Sequence, residues 1–160
     1  MMLGRASVPA LSKKVPTMNT TPTTPTAPTA PAILKTLIGP AQRAALWAAL
    51  EGEECEHFAD IVTRLVATWQ AMPATYATES QGRAAVAHLH YFLGGADWWI
   101  VEKDSDPDNE GQIQAFGIAD LGMGPELGYI RIPELLEVGA ELDYYYAHQT
   151  VAEILGRCVA

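Results

Sequence analysis

The sequence predicts an α+β fold, with N-terminal helices packed on an antiparallel four- to five-stranded meander sheet and a short C-terminal helix. Three observations predict it. Apolar residues recur at spacings of three and four in the first half of the chain, as one face of a helix requires. From Val86 the period switches to two, the spacing that separates the faces of a strand. No strand-helix-strand rhythm and no internal repeat follows, which argues against a parallel sheet.

The elements are justified in chain order. Residues 19–31 read NTTPTTPTAPTAP, a Thr/Pro tract whose recurring prolines interrupt any ladder or helix and whose side chains offer nothing large to bury. Residues 1–32 are therefore expected to be a disordered leader, and 33–160 a single domain. Met18 stands directly before the tract and offers an internal start of translation; a basic presequence is the alternative reading of the same residues. Pro40 opens a helical pattern with Leu46, Trp47 and Leu50 on one face and Gly52 as its stop. Glu53 to Met72 is a longer amphipathic helix carrying Phe58, Ile61, Val62, Leu65, Val66 and Trp69, and Pro73 ends it. Residues 73–83 read as a loop.

Val86 to Phe92 is expected as a strand, Gly94-Gly95 as a tight turn, and Trp98 to Lys103 as the returning partner. Asp104 to Gly111 is a polar loop, Gln112 to Ala119 a third strand and Gly128 to Ile132 a fourth. Pro133 opens a short helix over Glu134 to Val138, Glu141 to Tyr146 is a fifth, edge strand, and Val151 to Cys158 a closing helix.

Charge limits the function classes. The 160 residues carry 10 bases and 19 acids, a net charge of −9. All 19 acids lie in residues 51–160, beside five of the bases, so that part has a balance of −14. Such a surface cannot neutralise a phosphate backbone, which makes ordinary nucleic-acid binding unfavourable, and adhesion to an anionic membrane is disfavoured likewise. No apolar run reaches the roughly 18 residues of a membrane span, and no secretory signal is present, so a cytoplasmic setting is expected. Cys55 and Cys158 match no metal or redox spacing and read as reduced thiols.

Among motifs with chemical meaning, His88-Leu-His90 places two imidazoles at i, i+2, on one face of a strand, with Asp97, Glu102 and Asp104 nearby. His88, His90 and Glu102 would make a His-His-carboxylate metal site and hence a small metal-dependent enzyme; the plainer reading is surface histidines with no metal and no cofactor. Asp104, Asp106 and Asp108 imitate the start of a calcium loop, but Asn109 replaces its obligatory glycine and Ala115 its bidentate glutamate. No G-x-S-x-G elbow or phosphate loop occurs. Aromatics are concentrated in the sheet region. Trp98 and Trp99 must point to opposite faces, so one is expected to lie away from the helices. Such rings serve as anchors for a protein partner or as a stacking platform for single strands, and the scarcity of Lys and Arg favours the protein.

The stretches HLHYFLGGADWWIVEKD (88–104), QAFGIADLG (114–122) and ELGYIRIPELLEVGAELDYYY (126–146) resemble a family of plasmid- and phage-associated bacterial proteins of the domain-of-unknown-function 2958 type. The resemblance covers residues 84–146. Its markers are Trp99 and Glu102 of a W-Y-x-x-E motif, Phe116-Gly117, Glu126-Leu-Gly-Tyr129, and Glu134-Leu135. Trp99 stands where tyrosine is commoner. The resemblance implies a mobile-element setting and no particular reaction. Within the Glu126–Tyr129 segment, Gly128 is expected to relieve a turn and Tyr129 to cap the core.

These readings converge on a non-enzymatic accessory protein acting by protein–protein contact, one version being an anti-defence inhibitor of a host nuclease or DNA-processing protein. The expected contact surface comprises Trp98, Trp99, Glu102, Asp104, Asp106, Asp108, Tyr144, Tyr145 and Tyr146, and a second copy of the chain is a further candidate partner.

Overall fold

The computed structural model describes residues 29–104 and 114–157. Its centre is a five-stranded antiparallel sheet. Helices α1 (Ala30–Leu37), α2 (Pro40–Leu50) and α3 (Cys55–Ala71) precede it, and a short 3-10 helix (Glu79–Ala84) leads into it. The strands are β1 (Val86–Ala87), β2 (Leu89–Leu93), β3 (Ala96–Glu102), β4 (Ala115–Asp120) and β5 (Pro125–Ile130). Helix α4 (Ile132–Glu137), strands β6 (Glu141–Leu142) and β7 (Gln149–Thr150), and helix α5 (Val151–Arg157) complete it. The sheet order is β5-β4-β3-β2-β6, so four strands form a meander and β6 returns to the far edge; β1 and β7 pair separately.

This is the expected α+β arrangement, with boundaries moved by local chemistry. Helix α1 was not anticipated, and it begins at Ala30, three residues before the expected start of the domain at Ile33. Pro31 sits in its first turn, where a missing N–H costs nothing, and Ile33, Leu34 and Leu37 form its buried stripe. The remainder of the expected leader, residues 1–28, lies outside the described residues, as do Cys158 and the polar loop over 105–113 with Asp106 and Asp108. The strand expected over Val86 to Phe92 is two pieces. Val86 and Ala87 pair with Thr150 and Gln149, whereas Leu89 onwards pairs with β3, and His88 sits at the break. The fourth strand starts at Pro125, so Gly128 lies inside it and relieves no turn. The helix after it begins at Ile132, and the edge strand expected over Glu141 to Tyr146 is only Glu141–Leu142.

The β2–β3 hairpin closes through Gly94-Gly95, with Gly94 at φ +60°, the left-handed backbone that such a two-residue turn needs. Strand alternation then sorts the side chains. Leu89, Tyr91, Ile100, Ala115 and Ile130 face the helices and join Leu34, Leu37, Ile61 and Leu65 in the larger core. Tyr91 is fully buried, and its hydroxyl donates to the Leu37 carbonyl at 2.9 Å, satisfying the end of α1. Val101 and Ile118 face the other way, into a smaller core with Ala85, Ala87, Val151 and Ile154. Trp98 packs on the first core and Trp99 on the second, as alternation requires.

The pairing of β3 with β4 is irregular in two respects. A β-bulge interrupts β3 between Ile100 and Glu102, so that Ile100 opposes Gly117 but Glu102 opposes Phe116. Gly117 itself is dictated by close approach: a Cβ there would lie 2.0 Å from the Trp99 carbonyl oxygen.

Candidate functional site

The chain after α3 is laid along the end of β3. Lys103 N–H donates to the Pro73 carbonyl at 2.9 Å, and Ala74 forms a bridge with Lys103. The Lys103 ammonium donates to the Trp69 and Gln70 carbonyls at 2.8 and 3.3 Å, placing a cation at the C-terminus of α3 and 5.3 Å from the Trp69 ring centroid. Burial lowers its pKa from the ordinary lysine value. The next residues then close on Glu102. Its Oε2 accepts the Tyr76 N–H at 2.8 Å; its Oε1 accepts the Thr78 N–H at 2.8 Å and the Thr78 hydroxyl at 2.6 Å. Glu102 is 4% exposed. Three donors converging on one buried carboxyl are the arrangement that lets an acceptor-only group leave water.

Tyr76 is held at φ +66°, a conformation that costs a bulky residue about 1–2 kcal/mol and that the bond to Glu102 helps to maintain. Held this way, its hydroxyl accepts a hydrogen bond from the Tyr129 hydroxyl on β5 at 3.3 Å. The Tyr129 phenol is raised above its ordinary pKa, first by that hydrogen bond and then by desolvation, the Tyr76 phenol and the Glu102 charge. Phe116 meets Tyr129 edge to face at 5.7 Å.

Together these groups enclose a cleft of about 320 Å³ on the sheet face opposite α1–α3. Its wall of Ala85, Val101, Leu127 and Val151 is apolar, Phe116 and the two tyrosines supply ring faces, and Thr78, Glu79 and Glu102 supply the polar groups. The size and the apolar wall with few polar groups are those of a binding site. The bulge is what admits Glu102: unbroken alternation would have turned it toward the helices with Ile100.

A second group of polar side chains lies around β2. His90 Nε2 is 2.8 Å from Asp97 Oδ1 and His90 Nδ1 is 3.3 Å from Asp143 Oδ2, with the ring stacked on Trp99 at 5.2 Å. The ring donates to both carboxylates at once only when both nitrogens carry hydrogen. His88 lies edge to face with His148 at 5.3 Å, and its pKa is lowered by burial first and by His148 second. Both line another cleft, of about 500 Å³, together with Arg64, Asp143 and Tyr144. The Tyr144 phenol is pushed up to about 12 by burial and by Glu141, and its buried hydroxyl has no hydrogen-bond partner among the described residues.

The residues expected to form one contact surface are thus dispersed. Trp98 and Tyr144 pack on the helix-side core, Trp99 and Tyr146 on the opposite one, and Glu102 floors the first cleft. Asp104 accepts the Gln114 N–H at 3.1 Å. Tyr145 is 63% exposed and bonds His57 at 2.9 Å. His88, His90 and Glu102 are engaged at three separate places, and among the described residues no group of three such side chains is arranged to hold a metal ion. Sequence reasoning passed over Tyr76, as part of a loop, and read Tyr129 as a core cap, whereas Tyr129 is 57% exposed at the cleft mouth. The available signal was the motif set itself: Glu102, Phe116, Leu127 and Tyr129 are marker residues of three motifs, and all four line this cleft.

Among the described residues no helix is long and apolar enough to cross a membrane. No curated protein and no solved structure matches the chain. One family model does, over residues 59–148, more than half of the sequence, running from within α3 to the last residue lining the second cleft. The chain belongs to the DUF2958 family, proteins of unknown function.

Proposed function

We propose that the protein is a non-enzymatic accessory protein of a bacterial mobile genetic element, acting in the cytoplasm by protein–protein contact centred on the Glu102 cleft. The observation that carries this reading is the convergence of Glu102, Phe116, Leu127 and Tyr129 on one cleft whose carboxyl is already held by three donors of its own chain. A group so occupied is suited to hold shape and charge rather than to shuttle protons. The rim adds exposed apolar surface of the kind that marks contact sites, with Tyr76, Leu127 and Tyr129 all exposed. The acids lining the cleft, Glu102 and the exposed Glu79, with no Lys or Arg beside them, favour a basic partner. An inhibitor of a host nuclease or DNA-binding protein, offering carboxylates to a groove built for phosphates, is the version these charges support.

The test is site-specific photocrosslinking in a bacterial host lysate, with the crosslinking residue at position 127 on the cleft rim or at position 138, exposed elsewhere. The expected result is a discrete adduct from position 127 alone that weakens as salt is raised. No adduct from position 127 at low salt, or the same adducts from both positions, overturns the proposal.

A further inference from the structure

Resting on that contact reading, we propose that the Glu102 cleft accepts the side chain of an arginine presented by the partner protein. Charge is the first argument. The lining residues include two carboxylates, Glu79 and Glu102, and no Lys or Arg, so an anionic group entering would meet like charge with nothing to offset it. A cation meets the opposite situation. Glu102 is 4% exposed and makes no ion pair among the described residues, and a buried carboxylate without a counter-charge gains most from one supplied from outside.

Hydrogen-bonding capacity agrees with the charge. Each carboxylate oxygen has about two acceptor sites. Oε1 already receives two donors, the Thr78 N–H and hydroxyl, while Oε2 receives only the Tyr76 N–H. One acceptor site at the cleft floor is therefore left for an incoming N–H.

The lining of the cleft chooses among cations. Tyr76, Phe116 and Tyr129 line it with aromatic rings, and a guanidinium plane packs on aromatic rings while a strongly hydrated ammonium leaves water less readily. The apolar lining of Val101, Leu127 and Val151 matches the methylene stem of a long basic side chain. A volume of about 320 Å³ lies at the small end of ligand clefts, suited to one side chain and not to a helix or strand of the partner. The strained Tyr76 fits the same picture, because it is the price of holding one ring over the mouth, within 3.3 Å of the Tyr129 hydroxyl.

The test titrates the full chain with N-acetyl-arginine amide, its neutral isostere N-acetyl-citrulline amide, and methylguanidinium chloride, following the ring signals of Tyr76, Phe116 and Tyr129 by NMR. The expected result is saturable shifts with the arginine amide, binding about tenfold weaker for citrulline, and loss of the shifts in Tyr129→Ala, an exposed position whose replacement leaves the fold intact by circular dichroism. Equal binding of citrulline overturns the cation assignment while leaving the contact reading in place. Tighter binding of methylguanidinium than of the arginine amide assigns the site to a free organic cation and overturns the partner side chain. Absence of shifts with all three probes, beside a crosslink from position 127 that survives Tyr129→Ala, overturns the inference and leaves the partner contact elsewhere on the rim.

Discussion

The two edges of the sheet are finished differently. At the β6 edge, the Gln42 amide of α2 donates to the Leu142 carbonyl at 2.8 Å and accepts the Leu142 N–H at 3.0 Å, so a helix side chain covers the backbone of the outer strand. His90, gripped by Asp97 and Asp143, ties the chain after β6 to the β2–β3 hairpin. At the β5 edge, Leu127 and Tyr129 are exposed, and the neighbouring Leu121 and Met123 are exposed as well. The lesson is that one end of the sheet is built to be closed, while the other presents apolar and aromatic surface around a charged floor.

The comparison can be broken most strongly in the core. Ile100→Ala, on the helix face where Ile100 is fully buried, should cost about 2–5 kcal/mol in urea denaturation, whereas Leu127→Ala at the rim should cost less than about 1 kcal/mol. Equal losses would mean that the β5 end is packed as tightly as the centre. Glu102→Ala should come next, at about 3 kcal/mol, because it strands the Tyr76 and Thr78 N–H groups and the Thr78 hydroxyl. Hydrogen exchange should then quicken at Tyr76 and Thr78 and leave β2 unchanged. Tyr76→Gly sharpens the contrast in the opposite direction. Relief of the φ +66° backbone should stabilise the protein by about 1 kcal/mol, while the rim loses a ring on which the proposed arginine would pack.

The smallest effects concern pH. The pKa of His88 is lowered in the folded state, so the unfolded chain takes up its proton first as pH falls through 6.5. Stability should decline below that value, and His88→Gln should flatten the decline in denaturation midpoints. Tyr144 has the opposite sign. Its phenol, raised to about 12, keeps its proton in the folded state where the unfolded chain has lost it, so stability should fall between about pH 10 and 12, less steeply in Tyr144→Phe.

Much of the fold was legible because it rests on local rules. The stripe Phe58, Ile61, Val62, Leu65 gave α3, Gly94-Gly95 gave the hairpin, and alternation separated Trp98 from Trp99. What escaped depends on partners distant in sequence. Val86 and Ala87 belong to β7, more than sixty residues away, and no period within 86–92 reveals that change of partner. The site was half legible. Glu102 and the aromatic motifs were recognised as markers, but as parts of a surface with Trp98 and Tyr144, which are half-buried and pack on the helix-side core.

By itself the sequence determined the element types, the antiparallel meander and the confinement of negative charge to residues 51–160, because periodicity, turn residues and composition act over a few positions at a time. Only the tertiary structure decided that Glu102 faces a cleft. One extra residue in the β3 register turned its side chain away from the helices, and the chain at Tyr76–Thr78, 24 to 26 positions earlier, supplied the donors that let a carboxylate stay there. A bulge and a loop-to-strand contact are settled by the balance of burial and hydrogen bonding across the whole fold, and that balance is absent from any single stretch of the chain.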